Sequence, residues 1–291
     1  MDLEQLQPKL FAEFKKILQA DRLNHAYLFS GSFASFPMAL FLAKSRFCEN
    51  LQDSLPCGNC RSCRLIEAGD FADVSLIEPS GQVIKTDTVK ELLRNFSQSG
   101  FEGKTQVFII KECEKLHINA ANSLLKVIEE PQSSAYMILL TADEDKVLPT
   151  IRSRTQIFHF PKNEAYLLEQ SERAGLLKTQ AKLFAQLAKD PQELDNLLSN
   201  KKNLELEQVC RRFISNLQEH PDLAYLEAAR LVQYAADKSE QDIAFQLLTL
   251  LLAEEIKTKQ NRRLLQLLFR ARLMWQSNVS FQNALEYVVI S

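Results

Sequence analysis

Glycine is scarce in this chain, with 7 in 291 residues. So few glycines argue for a largely helical protein. Positive charge is not in excess either. Lys and Arg number 35 against 37 Asp and Glu, a formal net charge of −2. No global basic field marks a nucleic-acid binder, and any DNA contact has to be local or shared with partners. No apolar run is long enough to span a bilayer, and no arginine-led apolar signal segment opens the sequence. Internal repeats and low-complexity tracts are also absent. Six cysteines without a secretion signal predict a reducing, cytoplasmic location. The remaining composition is that of a globular protein, 46% hydrophobic and 25% charged. The length allows two or three domains and a substantial core.

A more specific absence lies between Leu28 and Met38. Leu28-Phe29-Ser30-Gly31 ends an apolar run on a glycine, as the strand before a phosphate loop does. A working loop reads G-x-x-x-x-G-K-[ST]. Counted from Gly31, the second glycine, the lysine and the hydroxyl are replaced by Phe36, Pro37 and Met38. Phe36 puts bulk where the backbone must curl around phosphate. Pro37 lacks both the N–H and the cation, and Met38 cannot ligate magnesium. The strand–loop–helix frame survives, and the expectation is that this chain binds no ATP. A second loss sits one strand away. A Walker B strand ends in Asp-Glu, whereas Val107 to Ile110 is followed by Lys111-Glu112. Lys111 puts a cation where magnesium needs a carboxylate, and Glu112 alone cannot rebuild the site.

Four cysteines follow the loop. Cys48, Cys57, Cys60 and Cys63 are spaced C-x8-C-x2-C-x2-C. C-x2-C spacing lets one tight turn aim two sulfurs at one ion, and four thiolates complete a tetrahedral zinc site. Gly58 and Asn59 are turn formers, which suits a knuckle. The rival readings are two disulfides or thiols that merely pack. A reducing compartment favours zinc. Cys113 and Cys210 stand alone and are expected to be buried and inert.

Periodicity predicts a helix from Pro8 to Ala20, a strand from His25 to Ser30 and a helix from Pro37 to Phe47. A short helix at Arg64 to Ala68 follows the knuckle. Strands are expected at Val74–Ile77, Val107–Ile110, Tyr136–Leu140 and Gln156–Phe160. Thr88 to Glu91 reads as a capping box opening a helix whose Leu92, Leu93 and Phe96 face inward. A further helix spans Ala120 to Ile128, with Asn119 as its N-cap and Pro131 beyond its end. Strands alternating with helices argue a parallel α/β sheet. After Pro161 only helical patterns remain, with breaks near Gly175, at Asp190-Pro191 and at His220-Pro221. The predicted organisation is an α/β domain at 1–162 with a metal module at 48–63, a small helical domain at 163–200 and a larger one at 201–291. In the last, Ile243 to Leu252 and Leu264 to Phe269 are apolar nearly all round, which predicts burial on all sides. They form either a bundle core or a surface that packs against other subunits.

Several motifs together resemble one family, the clamp-loader subunits of bacterial DNA polymerase III within the AAA+ proteins. The resemblance runs through Arg22-Leu23-Asn24-His25-Ala26-Tyr27-Leu28-Phe29, the four cysteines, Ala120 to Lys126 with Glu129-Glu130-Pro131, and Leu148 to Arg154. It covers roughly the first 160 residues and implies a strand order of 5-1-4-3-2. It implies a lid for 163–200 and an oligomerising collar for 201–291. It also implies an expected place in a heteropentamer with ATP-binding tau/gamma subunits and a delta subunit, opening a sliding clamp and placing it on primed DNA. The family carries Ser-Arg-Cys where this chain has Ser153-Arg154-Thr155. The resemblance implies that Arg154 is an arginine finger, reaching the γ-phosphate of ATP on an adjacent subunit. Thr155 departs from the pattern at its least chemical position. By itself an S-R-T tripeptide reads as a solvated arginine, and Arg152 is a lesser candidate.

On this reading the chain is no enzyme alone but a component of the DNA polymerase III holoenzyme. An active ATPase subunit is refuted by residues 36–38. A zinc-dependent nucleic-acid-binding protein is the rival of another class. Its knuckle should be basic and aromatic, but only Arg61 and Arg64 lie close. Arg262, Arg263, Arg270 and Arg272 form a basic run read as a solvated helix face, with a DNA-backbone role as the alternative. His25 and His159 are ungrouped and read as core or edge residues.

Overall fold

The computed structural model describes residues 2–96, 105–129, 134–254 and 256–291, and the side chains among them except at 92–96 and 221. The chain forms two compact units, Met1–Asn163 and Glu164–Ser291.

The first unit is built on five strands: β1 (Ala26–Ser30), β2 (Val74–Ile77), β3 (Thr105–Ile110), β4 (Ser134–Thr141) and β5 (Gln156–His159). They pair in parallel in the order β2-β3-β4-β1-β5. Read from the other edge, this is the order that the resemblance implies. The helices are α1 (Leu3–Leu6), α2 (Pro8–Gln19), α3 (Ser35–Phe47), α4 (Arg61–Ala68), α5 (Thr86–Phe96), α6 (Ile118–Glu129) and α7 (Pro149–Arg152). Helices covering both faces explain why the inner strands, such as β3 over Val107–Ile110, are apolar rather than alternating. On one face Phe14 of α2 meets Tyr27, Phe29 and Phe158, with ring centroids 4.5–5.9 Å apart. On the other, Ala26 and Leu28 join Phe108, Ile110 and Leu139 under Ala120, Ala121 and Leu124 of α6. Neighbouring residues of β1 thus serve opposite cores, as a period of two requires. Each large side chain buried here contributes roughly 1.5–3 kcal/mol.

The ends of several elements differ from expectation. The helix expected from the Thr88 box begins two residues earlier, at Thr86. Its inward-facing Leu92, Leu93 and Phe96 lie outside the described side chains. Helix α6 begins at Ile118, so Asn119 is inside its first turn instead of capping it. Ser123 Oγ there donates to the Asn119 carbonyl at 2.8 Å. Glu130 and Pro131 lie outside the described residues. Helix α3 begins at Ser35, which leaves Pro37 in the first turn, where a missing N–H costs nothing.

The second unit is helical: α8 (Glu164–Arg173), α9 (Lys178–Leu187), α10 (Pro191–Ser199), α11 (Lys201–Glu219), α12 (Pro221–Tyr234), α13 (Lys238–Glu254), α14 (Lys259–Gln276) and α15 (Phe281–Ile290). The breaks fall where expected. Gly175 takes φ +91 after α8. Asp190 caps α10 through Glu193 N–H at 2.8 Å, while Glu193 reaches back to Lys189 N–H at 2.6 Å. Such reciprocal capping stabilises a helix start by satisfying two orphan donors. Phe245 of α13 packs on Trp275 and Phe281, at 5.4 and 5.3 Å.

Burial on all sides fails for α14. Leu264, Leu268 and Ala271 are buried, but Phe269 is 65% and Leu273 47% exposed. The buried set recurs at four- and three-residue spacing and makes one stripe, while Phe269 and Leu273 make another, four residues apart. No helix among the described residues is long and apolar enough to cross a membrane.

Candidate metal centre and the strand-end loops

Helix α3 ends at Phe47, and the N–H of its C-cap Cys48 donates to Lys44 O at 2.9 Å. The loop beyond turns back through a pair of backbone hydrogen bonds between Gln52 and Leu55, both 2.9 Å. Asp53, Ser54 and Gly58 all adopt positive φ there. Cys60 then caps α4, its sulfur accepting Cys63 N–H at 3.5 Å. This folding brings all four sulfurs within 4.8 Å of one another. Cys48 Sγ lies 3.5 Å from Cys57 Sγ and 3.9 Å from Cys60 Sγ. Tetrahedral ligands about 2.3 Å from a zinc ion stand ~3.8 Å apart, which these spacings bracket. A disulfide would require about 2.05 Å, and all six cysteines are free thiols.

The local electrostatics also suit thiolates. The N–H groups of Asn59 and Cys60 lower the Cys57 pKa. The Cys63 N–H leads the groups that bring Cys60 down to about 6. Burial pushes Cys48 and Cys63 up. Four sulfurs this close share negative charge best around a cation, so the set can hold a metal ion, consistent with zinc. Glu49 braces the module from outside. Its carboxylate accepts from Ser62 Oγ at 2.7 Å and Ser62 N–H at 3.2 Å, which lowers its pKa.

The loop after β1 carries Phe36, Pro37 and Met38 in place of the second glycine, lysine and hydroxyl of a phosphate loop. Gly31 sits at φ +105, and its N–H donates to Thr141 O at 2.8 Å. The buried Gln7 amide holds the loop, donating to Phe33 O at 2.9 Å and Pro161 O at 2.8 Å. Met38 is fully buried in the core. Phe36 lies against Lys111, whose Nζ is 3.7 Å from the ring centroid. The same ammonium is 2.5 Å from Glu78 Oε1. Glu112, at φ 49, turns to its own 3-10 turn and pairs with Lys115 at 2.6 Å.

Arg154 lies on the turn between α7 and β5, its side chain 38% exposed. Its Nε donates to Glu129 Oε1 at the end of α6. Its Nη1 reaches Thr150 O at 3.2 Å and Ser153 Oγ at 3.3 Å. Arg152 is turned elsewhere, onto Asp145 at 3.0 Å. Thr155 Oγ1 donates to Ile151 O at 3.0 Å, so its role here is to close the α7 turn.

The other singled-out residues fall outside these sites. His25 Nε2 is 2.7 Å from Ile128 O, and His159 is an exposed edge residue 3.4 Å from Glu144. Cys113 and Cys210 are buried, and burial raises both thiols. In the basic run, Arg272 pairs with Asp242 at 2.6 Å, Arg263 donates to Ser291 O at 2.5 Å, and Arg262 and Arg270 are exposed. Sequence reasoning names Glu129 only within the Glu129-Glu130-Pro131 stretch and gives Glu78 no role. Glu78 follows β2 and Glu129 ends α6, and each faces a cation far away in sequence, so no local pattern reveals the pairing.

Residues 6–164 match the family model described as DNA polymerase III, delta subunit. The DNA polymerase III subunit delta' of Bacillus subtilis is 38% identical over 161 residues, 55% of this chain and 49% of that protein. The corresponding subunit of Escherichia coli is 30% identical over 186 residues, 61% of this chain and 56% of that protein. The tau subunit of Escherichia coli is 37% identical over 144 residues, 49% of this chain and 22% of its own length. The matches thus span about half the length of the delta' relatives and less of tau. A solved DNA polymerase III gamma subunit-related protein from Thermotoga maritima shares the fold, with a TM-score of 0.56 at 18% identity over 96% of this chain and 97% of that one. With more than half of its residues inside the family match, the chain belongs to the DNA polymerase III delta subunit family.

Proposed function

We propose that this chain is the non-ATP-binding subunit of a DNA polymerase III clamp loader and lends Arg154 to the ATP site of a neighbouring subunit. The observation that carries the reading is the placement of Arg154. It stands on a turn at the start of β5, an edge strand, with its side chain partly in solvent. Glu129 holds the Nε side of the guanidinium, and Nη2 has no partner among the described residues. An arginine finger works by offering a planar, permanently charged fork to charge that develops on a transferred phosphoryl group. An edge position can present such a group to another chain; a core position cannot.

The nucleotide pocket of this chain itself is inactive on this reading. Met38 is in the core, and Lys111 takes the place of a metal-binding carboxylate. The family relationship supports the loader setting, with tau/gamma and delta subunits as partners in a heteropentamer, acting on a sliding clamp and primed DNA. Zinc held by Cys48, Cys57, Cys60 and Cys63 is structural. The module lies between α3 and α4, away from Arg154 in sequence, and all four positions are filled by protein sulfur, leaving none for substrate. Residues 163–200 serve as lid and 201–291 as collar. The exposed Phe269 and Leu273 suit a surface that another subunit covers. Co-expression with the tau/gamma and delta subunits of the same organism tests the assembly. A single complex of defined mass supports the reading, and a chain that always elutes alone overturns it.

A further inference from the structure

Three side chains meet at the carboxyl ends of neighbouring strands. Glu78 is the first residue after β2, Lys111 the first after β3, and Phe36 lies in the first turn of α3. The Lys111 N–H donates to Ile77 O at 2.9 Å, which ties the two strand ends together. The Lys111 ammonium then meets the Phe36 ring at 3.7 Å and the Glu78 carboxylate at 2.5 Å. In an open parallel sheet, the crevice outside the carboxyl ends is where ligands bind. A phosphate loop would set its anion there, at the start of the following helix. In this chain the anion is Glu78 and the cation is Lys111.

We propose that Phe36, Lys111 and Glu78 form a ligand-independent clamp, which fixes the 31–36 loop to the ends of β2 and β3 in place of a nucleotide. The inference rests on the reading of residues 31–38 as a degenerate phosphate loop. The two contacts of the ammonium are unequal. Glu78 is 54% exposed and Lys111 30%, so their ion pair is screened and weak. Of these two contacts, the one with the ring joins α3 to the end of β3, and cation–π contacts strengthen as the cation loses water. Phe36 therefore carries more of the clamp than Glu78 does.

Amide hydrogen exchange of the full chain tests this at the two ends of the loop, Gly31 and Met38, whose N–H groups donate to Thr141 O at 2.8 Å and Ala34 O at 3.0 Å. Phe36→Leu keeps apolar bulk but removes the ring and is expected to speed exchange of the loop about tenfold. Lys111→Met, at a partly exposed site, gives the same result with little risk to the core. The double variant goes no further than either single one, and Glu78→Gln has a smaller effect. Exchange in β3 and β4 stays at the wild-type rate, which separates loop release from unfolding. If Lys111→Met leaves the loop protected, or if the two substitutions add, the clamp is wrong. Titration of the wild-type chain with Mg-ATP separates this from the parent reading. Saturable binding there overturns the degenerate loop itself, whereas unaccelerated exchange overturns only the clamp.

Discussion

Gly31 stands against the backbone of Phe160 so closely that a Cβ built on it would fall 2.3 Å from the Phe160 carbonyl oxygen. Its φ of +105 lies where side-chain-bearing residues are strained. The glycine that looked like the first residue of a phosphate loop is thus required by packing, where the end of β1 passes the end of β5. Phe160 N–H donates to Ser30 O at 2.6 Å in the same place.

Gly31→Ala should therefore destabilise the first unit through backbone strain and packing alone. Strain at positive φ and the clash with a backbone atom together cost about 2–4 kcal/mol. Denaturant unfolding of the purified variant measures it. A loss below 0.5 kcal/mol, on the order of an ordinary surface change, would mean that the strand ends move apart freely.

Much of this architecture is legible in the sequence because it follows from period. β2 lies at Val74–Ile77 as expected, and the helical breaks at Gly175, Pro191 and Pro221 coincide with residues that cannot continue a helix. The cysteine set is legible because its spacing is local. The starts of α5 and α6 were misplaced because Thr88 and Asn119 are good caps that tertiary packing left inside a helix. The direction of Phe269 is not legible because an apolar run on a helix records composition and not which side faces the core. The pairings of Glu78 and Glu129 are not legible for another reason. Their partners, Lys111 and Arg154, are brought near only by sheet order and by the α7 turn.

The four-cysteine set predicts a metal stoichiometry. Elemental analysis of protein purified without chelator should give about one zinc per chain. Metal binding to four thiolates is itself folding free energy, so Cys60→Ser should lower the melting temperature of the first unit by several degrees. It should also raise protease sensitivity between residues 48 and 63. Metal well below one equivalent, or a Cys57–Cys60 disulfide in reducing buffer, would leave the knuckle as packed thiols.

Glu240 predicts an acid limb for the second unit. Its carboxylate accepts from Lys202 Nζ at 2.5 Å and from the N–H of Ala236 at 2.8 Å, while Asp237 accepts from Glu240 N–H at 2.9 Å. The Lys202 hydrogen bond is the largest of the effects that hold its pKa below the ordinary 4.5. A depressed folded-state pKa adds stability that is complete above the unfolded value and disappears as pH falls through the lower one. Lys202 is 40% exposed, which discounts the ion pair and leaves the cap of α13 as the larger share. Glu240→Gln should cost roughly 1–2 kcal/mol at neutral pH. The gap to wild type should close as the pH drops below the ordinary carboxylate value. A gap that stays constant across that range would mean that charge has no part in it.

Arg154→Ala should leave the chain folded and able to assemble, yet lower both the ATPase and the clamp-loading rates of the complex. Nothing in the core depends on this side chain. Among the described residues it bonds the exposed Glu129, Thr150 O and Ser153 Oγ alone, so the loss in stability should stay within about 0.5 kcal/mol. Arginine fingers contribute roughly 10³–10⁵ in rate where they act on GTPases. One finger among several ATP sites should depress total turnover less than that, with the loading step falling further than hydrolysis. Arg154→Lys should be nearly as harmful as alanine, because a point charge does not reproduce the planar fork. Arg152→Ala is the internal control, since Arg152 is turned onto Asp145 and away from Glu129. Loading kinetics on primed DNA, measured with all three variants in reconstituted complexes, decide the matter. Normal loading by the Arg154→Ala complex would make the contribution of this chain purely structural. Equal losses at 152 and 154 would point to general basic charge on the turn and remove the finger assignment.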